Sequence, residues 1–338
     1  MIIRARSLDD LLQKTYQRLF KGDIVRATRG STKERVGVLL ILENPRARLS
    51  TSESRGRIFS ALGELLWYLS GSNSADHIIY YIKRYQQDAE DDGTIHGAYG
   101  PRLIRPDGFN QLNNVLKLLR SKPTSRRAVL QLYSAEDILV NYKEIPCTCT
   151  IQFLIRGNKL DALVNMRSND AYWGLPHDIF AFTMIQELMA RALGLELGQY
   201  RHFVGSLHIY EEYLKAAKTY LDEGWQGRSA MPAMPSGDQF DNVAQLIEFE
   251  KLVRNAPRAP STMPALPEYW NDLAMLLRIF RAEKNKARES RILRMMKATN
   301  TIYHPYILPY ADRAASRDAQ RLAKEGPAQT GLFGPGVK

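Results

Sequence analysis

Between Pro146 and Tyr210 the residue pattern switches period in a fixed order, and no other stretch restricts the fold as much. Thr150 to Ile155 and Leu160 to Met166 read as two strands joined by Arg156-Gly157-Asn158-Lys159, a hairpin signal. His177 to Leu193 then carries Ile179, Phe182, Ile185, Leu188, Met189 and Ala192 at helical spacing and ends at Gly194. Tyr200 to Val204 returns as a strand, and Ile209 to Tyr220 reads as a helix. Most polar side chains of chemical interest lie in the same stretch. They are Cys147, the run Arg167-Ser168-Asn169-Asp170, the pair His177-Asp178, and His208 with Tyr210.

Upstream, Ser7-Leu8-Asp9-Asp10 has the form of a helix N-cap with carboxylates in the first turn, and an apolar helical period follows to Gly22. Arg26 to Lys33 is a basic, glycine-containing stretch without apolar period; it reads as a loop able to hold a phosphate, or as an ordinary surface loop. Val36 to Leu42 reads as a strand. Arg57 to Ser70 is an apolar helix with Glu64 inside it, a Tyr-rich helix covers 76–87, and Leu112 to Leu119 is helical. Arg126-Arg127 leads into a strand that reaches Tyr133. Downstream, 240–254 and 268–298 are helical runs separated by Pro257, Pro260, Pro264 and Pro267. The expected class is α+β, with strands meeting mostly through hairpins. The expected organisation is a catalytic domain over 1–225, a helical extension packed on it or completing it over 226–318, and a disordered tail over 319–338.

Composition narrows the classes. A hydrophobic fraction of 44% and a charged fraction of 25% in 338 residues are those of a globular protein with a full core. No apolar run is long enough for a membrane span, and the first residues lack a secretory pattern. Two cysteines two positions apart form no disulfide framework, so a cytoplasmic protein is expected, and Cys-x-Cys without further ligands gives no metal site. Much of the net charge of +11 sits in the last third at helical spacing, from Arg278 to Arg294, which reads as a solvated helix face rather than a nucleic-acid surface.

The chemistry points to a pyrimidine. The C5 carbon of that ring is a poor nucleophile until something adds at C6, and a thiolate is suited to the addition. An ordinary thiol titrates near about 8.5, and neighbouring arginines are expected to lower it. Cys147 follows a proline and precedes a strand, which suits a sulfur fixed at a strand entrance; alone, it reads equally as a buried structural cysteine. Arg126, Arg127, Arg167 and Ser168 supply guanidinium forks and a hydroxyl for a phosphate dianion. His208 and Tyr210 alternate with Ile209, so their polar tips share one face and could hold a sugar hydroxyl, or simply pack in a core. Glu64 reads by itself as a rim carboxylate.

These pieces together resemble the thymidylate synthase family over about residues 8–220. The family's Pro-Cys-x-x-x-x-Gln-Phe segment is matched by Pro146, Cys147, Gln152 and Phe153, and its Arg-Ser-x-Asp run by Arg167, Ser168, Asp170, Tyr172, Gly174 and Pro176. Its Gly-x-x-His-x-Tyr segment is matched by Gly205, His208 and Tyr210, its glutamate segment by Glu64 to Gly71, and its tyrosine segment by Tyr99-Gly100. The resemblance implies a mixed sheet packed with helices, one sheet face forming a homodimer interface, with extra C-terminal helices here. It implies that Cys147 adds to C6, that Glu64 manages protons through water, and that Tyr99 assists proton removal from C5. Arg167 and Ser168 would bind phosphate with Arg29 or Arg26, and with Arg126 and Arg127 of a partner subunit. His208 and Tyr210 would meet the sugar. Asp170 and Trp67 would face 5,10-methylenetetrahydrofolate, the one-carbon donor, and no metal is implied.

Where thymidylate synthases have Phe-Asn after the proline, this chain has His177-Asp178. The asparagine reads uracil; a carboxyl can accept from the 4-amino group of cytosine and share a proton with N3. The same change marks the family's cytidylate hydroxymethylases. Thr148, Met166 and Ser206 replace the family's histidine, glutamine and aspartate, and the Tyr-rich helix lacks the tryptophans that line the folate site in many synthases. The expected function is therefore a CMP or dCMP 5-hydroxymethyltransferase using methylenetetrahydrofolate and water, with Asp178 reading the base. The alternatives are a thymidylate synthase or (d)UMP hydroxymethylase and, in another class, a silent nucleotide- or RNA-binding protein.

Overall fold

The computed structural model describes residues 1–27, 29–52, 57–105, 107–258, 260 and 262–325. The N-terminal part runs β1 (Ile2–Ala5), α1 (Leu8–Leu19), β2 (Asp23–Ala27), β3 (Gly30–Leu42), α2 (Ile58–Leu69) and α3 (Ala75–Tyr81). After a single 3₁₀ turn come α4 (Gly100–Leu103), α5 (Gln111–Ser121), β4 (Val129–Gln131), β5 (Thr148–Arg156) and β6 (Lys159–Asp170). The chain continues through α6 (Gly174–Ala192), β7 (Glu196–Tyr210) and α7 (Glu211–Asp222). Four helices complete it: α8 (Phe240–Asn255), α9 (Glu268–Lys284), α10 (Glu289–Lys297) and α11 (His304–Glu325). Among the described residues no helix is long and apolar enough to cross a membrane.

The strands form one sheet in the order β1-β3-β7-β6-β5-β4, with β2 paired to β3. The β5–β6 hairpin turns where the sequence indicates, since Gly157 and Asn158 both hold positive φ, the requirement of a two-residue turn that matches strand twist. Hairpins do not make the whole sheet, however. β6 and β7 run parallel, joined by α6 as a crossover, and β1 runs parallel to β3. A helix of α6's length, about 28 Å at 1.5 Å per residue, returns the chain to the end where β6 began. α2 and α6 are apolar nearly all round; α6 lies against the sheet and α2 is buried against α6 and other helices, which explains why neither has a strong polar face.

Five expectations change. The basic stretch 26–33 is not a loop but the β2–β3 hairpin, because Asp23 to Ala27 finds a ladder partner in Gly30 to Glu34; Thr28 lies outside the described residues. β7 extends to Tyr210, and the helix starts only at Glu211, since Leu207 and Ile209 are both buried on one face of the strand, paired with Arg35 and Lys33. The 76–87 run breaks after Tyr81 into the 3₁₀ turn Lys83–Gln87, and 268–298 breaks at Lys286, whose φ of 53° ends α9. α11 runs to Glu325, beyond the point where a disordered tail is expected; residues 326–338 lie outside the described residues.

The C-terminal helices share the core of the sheet domain. Phe280 of α9 stacks on Tyr81 of α3 at 5.2 Å, and Tyr310 of α11 stacks on Phe59 of α2 at 4.6 Å. The Tyr81 hydroxyl donates to Glu250 Oε1 of α8 at 2.8 Å. The helix that carries Glu64 is thus held between α6 and the C-terminal helices.

Candidate active site

β6 and β7 stay in register from Met166↔Val204 to Asp170↔His208, so the ends of both strands reach the wall of one cavity of about 740 Å³. The backbone N–H of Arg167 donates to the Cys147 carbonyl at 2.9 Å, which sets nucleophile and arginine side by side although twenty residues separate them. Arg167 Nη2 lies 3.7 Å from Cys147 Sγ, and its fork is held by Pro146 O at 2.9 Å and Ile145 O at 3.1 Å. A β-bulge between Thr148 and Thr150 breaks the β5 register beside the sulfur, as bulges often do near sites. It turns Thr148 inward, where its N–H and hydroxyl both donate to Tyr99 Oη, at 3.1 and 2.9 Å. The Tyr99 hydroxyl, with two bonds accepted, retains its own proton for donation.

Glu64 is buried on α2 and accepts from Tyr85 Oη at 2.6 Å. Burial raises its carboxyl, and the bonds from Tyr85 and Tyr68 oppose that rise. Asp178 sits one turn into α6, buried, and burial followed by the Glu64 charge lifts it well above the carboxylate range. Asn169 Nδ2 donates to Asp178 Oδ2 at 2.9 Å and lies 3.2 Å from His202 Nε2, whose Nδ1 meets Tyr200 Oη at 2.7 Å. Burial pushes the His202 imidazole down to about 3, so it is neutral and can accept at Nε2. Burial thus favours the neutral acid at Asp178, and its Oδ2 accepts from Asn169 Nδ2.

Cys147, Glu64, Tyr99, Asp178, Arg167, Ser168, His208, Tyr210, Asp170, Trp67 and Arg29 all line this one cavity. His208 and Tyr210 project from the same face of β7, with their rings in edge contact at 5.1 Å. Arg29, in the turn just before the β2–β3 hairpin's second strand, reaches the cavity, whereas Arg26 does not line it. Arg126 and Arg127 are exposed before β4 and do not reach this chain's own cavity.

One electrostatic expectation is overturned. The Cys147 thiol is not lowered but pushed up to about 12, because burial and then the Glu144 charge outweigh Arg167. Glu144 is a residue that sequence reasoning missed. It lines the cavity, places Oε1 3.8 Å from Cys147 Sγ and pairs Oε2 with Arg29 Nη2 at 2.8 Å. Asp88 joins from the other side, 3.3 Å from the same Nη2. No local pattern marks either carboxylate, since each depends on a partner from a distant strand.

A folate is also compatible with these residues. Trp67 has a buried indole N–H without a partner among the described residues, the Asp170 carboxyl forms part of the wall, and exposed Ile138, Leu139 and Val140 give an apolar rim. A flat ligand with a polar ring and an apolar middle suits such a lining.

Comparison with known proteins agrees with this geometry. The family model described as thymidylate synthase matches residues 44–250. A deoxyuridylate hydroxymethyltransferase of Bacillus phage SP01 is 29% identical over 266 residues, covering 75% of this chain and 67% of the relative. A deoxyuridylate hydroxymethyltransferase of Pseudomonas phage M6 is 33% identical over 167 residues, 48% of each chain, so this second match spans about half of that relative's length. With the family match running over most of the sheet and both α2 and α6, the chain belongs to the thymidylate synthase family.

Proposed function

We propose that this protein is a pyrimidine nucleoside monophosphate 5-hydroxymethyltransferase whose preferred base is cytosine, acting on CMP or dCMP. The observation that carries the cytosine reading is the buried, neutral Asp178 with Asn169 donating to its Oδ2. With Oδ2 held as acceptor, the acid's proton is favoured on Oδ1, so Asp178 offers one donor and one acceptor in a fixed order. Cytosine needs a donor opposite N3 and an acceptor opposite its amino group, and uracil needs the reverse. Two mismatched buried hydrogen bonds at about 1–3 kcal/mol each correspond to discrimination of several orders of magnitude.

The remaining roles follow from position. Cys147 adds its sulfur to C6, with Arg167 at 3.7 Å to stabilise the thiolate. Arg167 and Ser168 take the phosphate together with Arg29, which a phosphate must share with Glu144 and Asp88. Arg126 and Arg127 complete the phosphate site across a homodimer formed on the uncovered sheet face. His208 and Tyr210 hold the sugar. Methylenetetrahydrofolate, when bound near Asp170 and Trp67, supplies a one-carbon unit at the oxidation level of formaldehyde. Tyr99 takes part in removing the C5 proton, and Glu64, in contact with the Tyr85 hydroxyl, positions the water that ends as the hydroxyl of the product.

A second reading, hydroxymethylation of a uracil nucleotide, is favoured by the two phage relatives, both deoxyuridylate hydroxymethyltransferases. Tritium release from C5 separates the two. The protein is incubated with methylenetetrahydrofolate and each of 5-tritiated CMP, dCMP, UMP and dUMP, and products are identified by mass. Release from CMP or dCMP with a hydroxymethyl product is expected, and Cys147→Ala should lower it by at least about 10⁴-fold while nucleotide still binds. Release from uracil nucleotides alone would establish the second reading, and a methyl product with dihydrofolate would return the chain to the synthases.

A further inference from the structure

Three groups lie in line at the nucleophile. The Cys147 thiol faces Glu144 Oε1 at 3.8 Å, and the other carboxylate oxygen, Oε2, takes a charge-assisted bond from Arg29 Nη2 at 2.8 Å. Arg29 is fixed in turn by Lys143 O at 2.7 Å and Asp88 Oδ1 at 3.3 Å. A nucleophile in reach of a base, with the base oriented by a third group, is the arrangement by which enzymes activate weak nucleophiles. The packing bears on Glu144: a Cβ on Gly97 would lie 3.1 Å from Glu144 Cγ and 3.0 Å from Ile145 C, so a side chain there would press on the glutamate stem and its backbone. Gly97 lies two residues before Tyr99, on the segment that also positions the tyrosine.

We propose that Glu144 is the general base that takes the Cys147 proton as the sulfur attacks. This rests on the reading of Cys147 as the nucleophile. The Sγ–C6 bond forms as the Sγ–H bond breaks, the proton passes to Glu144 Oε1, and the π pair of C5–C6 moves to C5 and into the conjugated ring. The proton returns to sulfur when the C6–Sγ bond breaks at the end of the reaction, so no outside acid, base or oxidant is required. The step answers a difficulty of the site: a thiol lifted to about 12 is almost wholly protonated near neutral pH, so attack by a preformed thiolate would be slow. Burial also lifts the Glu144 carboxyl, with Arg29 opposing, which brings base and thiol nearer in proton affinity.

The test needs no nucleotide. Iodoacetamide alkylation of the full chain at pH 7.5 is followed at Cys147 and Cys149 separately by peptide mass spectrometry, for the wild type, Glu144→Gln and Glu144→Asp. A general base predicts that Glu144→Gln slows Cys147 alkylation by about 10-fold or more, with Cys149 unchanged as an internal measure of folding. Glu144→Asp keeps the charge and the guanidinium partner but withdraws the oxygen, and should be slowed to an intermediate degree. If Glu144 were only a neighbouring negative charge, its removal would ease thiol ionisation, and Glu144→Gln would react as fast as the wild type or faster. That result overturns the proposal while leaving the nucleotide reading intact. Failure of tritium release by the wild type would sink the nucleotide reading and leave the alkylation result standing.

Discussion

Asp178 gives the sharpest prediction at the level of single residues. Asn in its place presents the pattern uracil needs once its amide nitrogen takes the Oδ2 position and the Asn169 amide turns its oxygen toward it. Asp178→Asn should therefore move the cytidylate-to-uridylate ratio of kcat/KM by about 10²-fold or more toward uridylate; an unchanged ratio would remove Asp178 as the base reader. The same variant tests its protonation. Burial and Glu64 raise the folded-state pKa, so the stability this group contributes is full below the unfolded value of about 4 and is lost as pH rises through the folded value. The Tm of Asp178→Asn relative to wild type should climb between pH 4 and pH 8. A Tm difference that stays flat over that range would mean the carboxyl is ionised in the folded protein. Asn169, whose Oδ1 is buried without a partner among the described residues, was legible only as part of a motif; its role beside Asp178 depends on where α6 starts.

Among the elements, α2 and α3 are the pair on which Glu64 depends. An added Cβ at Gly63 would lie 2.2 Å from Tyr81 Cγ, a contact that must displace the ring or the helix. Tyr81 in turn bonds Glu250 and stacks on Phe280. Gly63→Ala is expected to destabilise the fold by about 1–3 kcal/mol, read as a lowered denaturant midpoint, and to depress turnover by moving Glu64. Unchanged stability would show that Tyr81 has room to move. The apolar periodicity of α2 and α6 was legible in the sequence because burial on all sides leaves an uninterrupted hydrophobic pattern. The β2–β3 hairpin was not, because Asp23 to Ala27 is mostly exposed and its strand character comes from pairing with β3.

For the whole molecule, the uncovered face of the sheet carries Val36, Val129 and Phe203 among polar neighbours. A homodimer on this face would bring Arg126 and Arg127 to a partner's cavity, and sedimentation should give a dimer. Mixing Cys147→Ala subunits with Arg126→Ala/Arg127→Ala subunits tests the crossing directly. Each mixed dimer would hold one intact site, so about a quarter of wild-type activity should return after random exchange. No recovery would mean that the two arginines serve their own chain or none. The C-terminal helices belong to this scale as well. The segment from residue 226 onward carries about half of the net positive charge, yet Phe280 and Tyr310 tie its helices into the core beside α2 and α3.

Sequence alone determined the nucleophile candidate, its arginine, the carboxyl proposed to read the base and the order in which strands and helix present them. These lie on one strand–turn–strand–helix–strand unit, where spacing along the chain translates directly into position. It also carried the family resemblance that the match over residues 44–250 bears out. Tertiary structure alone decided the direction of the thiol's proton affinity, the pairing of Glu144 with Arg29 and Asp88, and the parallel course of β6 and β7. Burial and charge at Cys147 are sums over neighbours, and Arg29 and the Glu144 segment meet from more than a hundred residues apart. No period or motif records a sum of that kind.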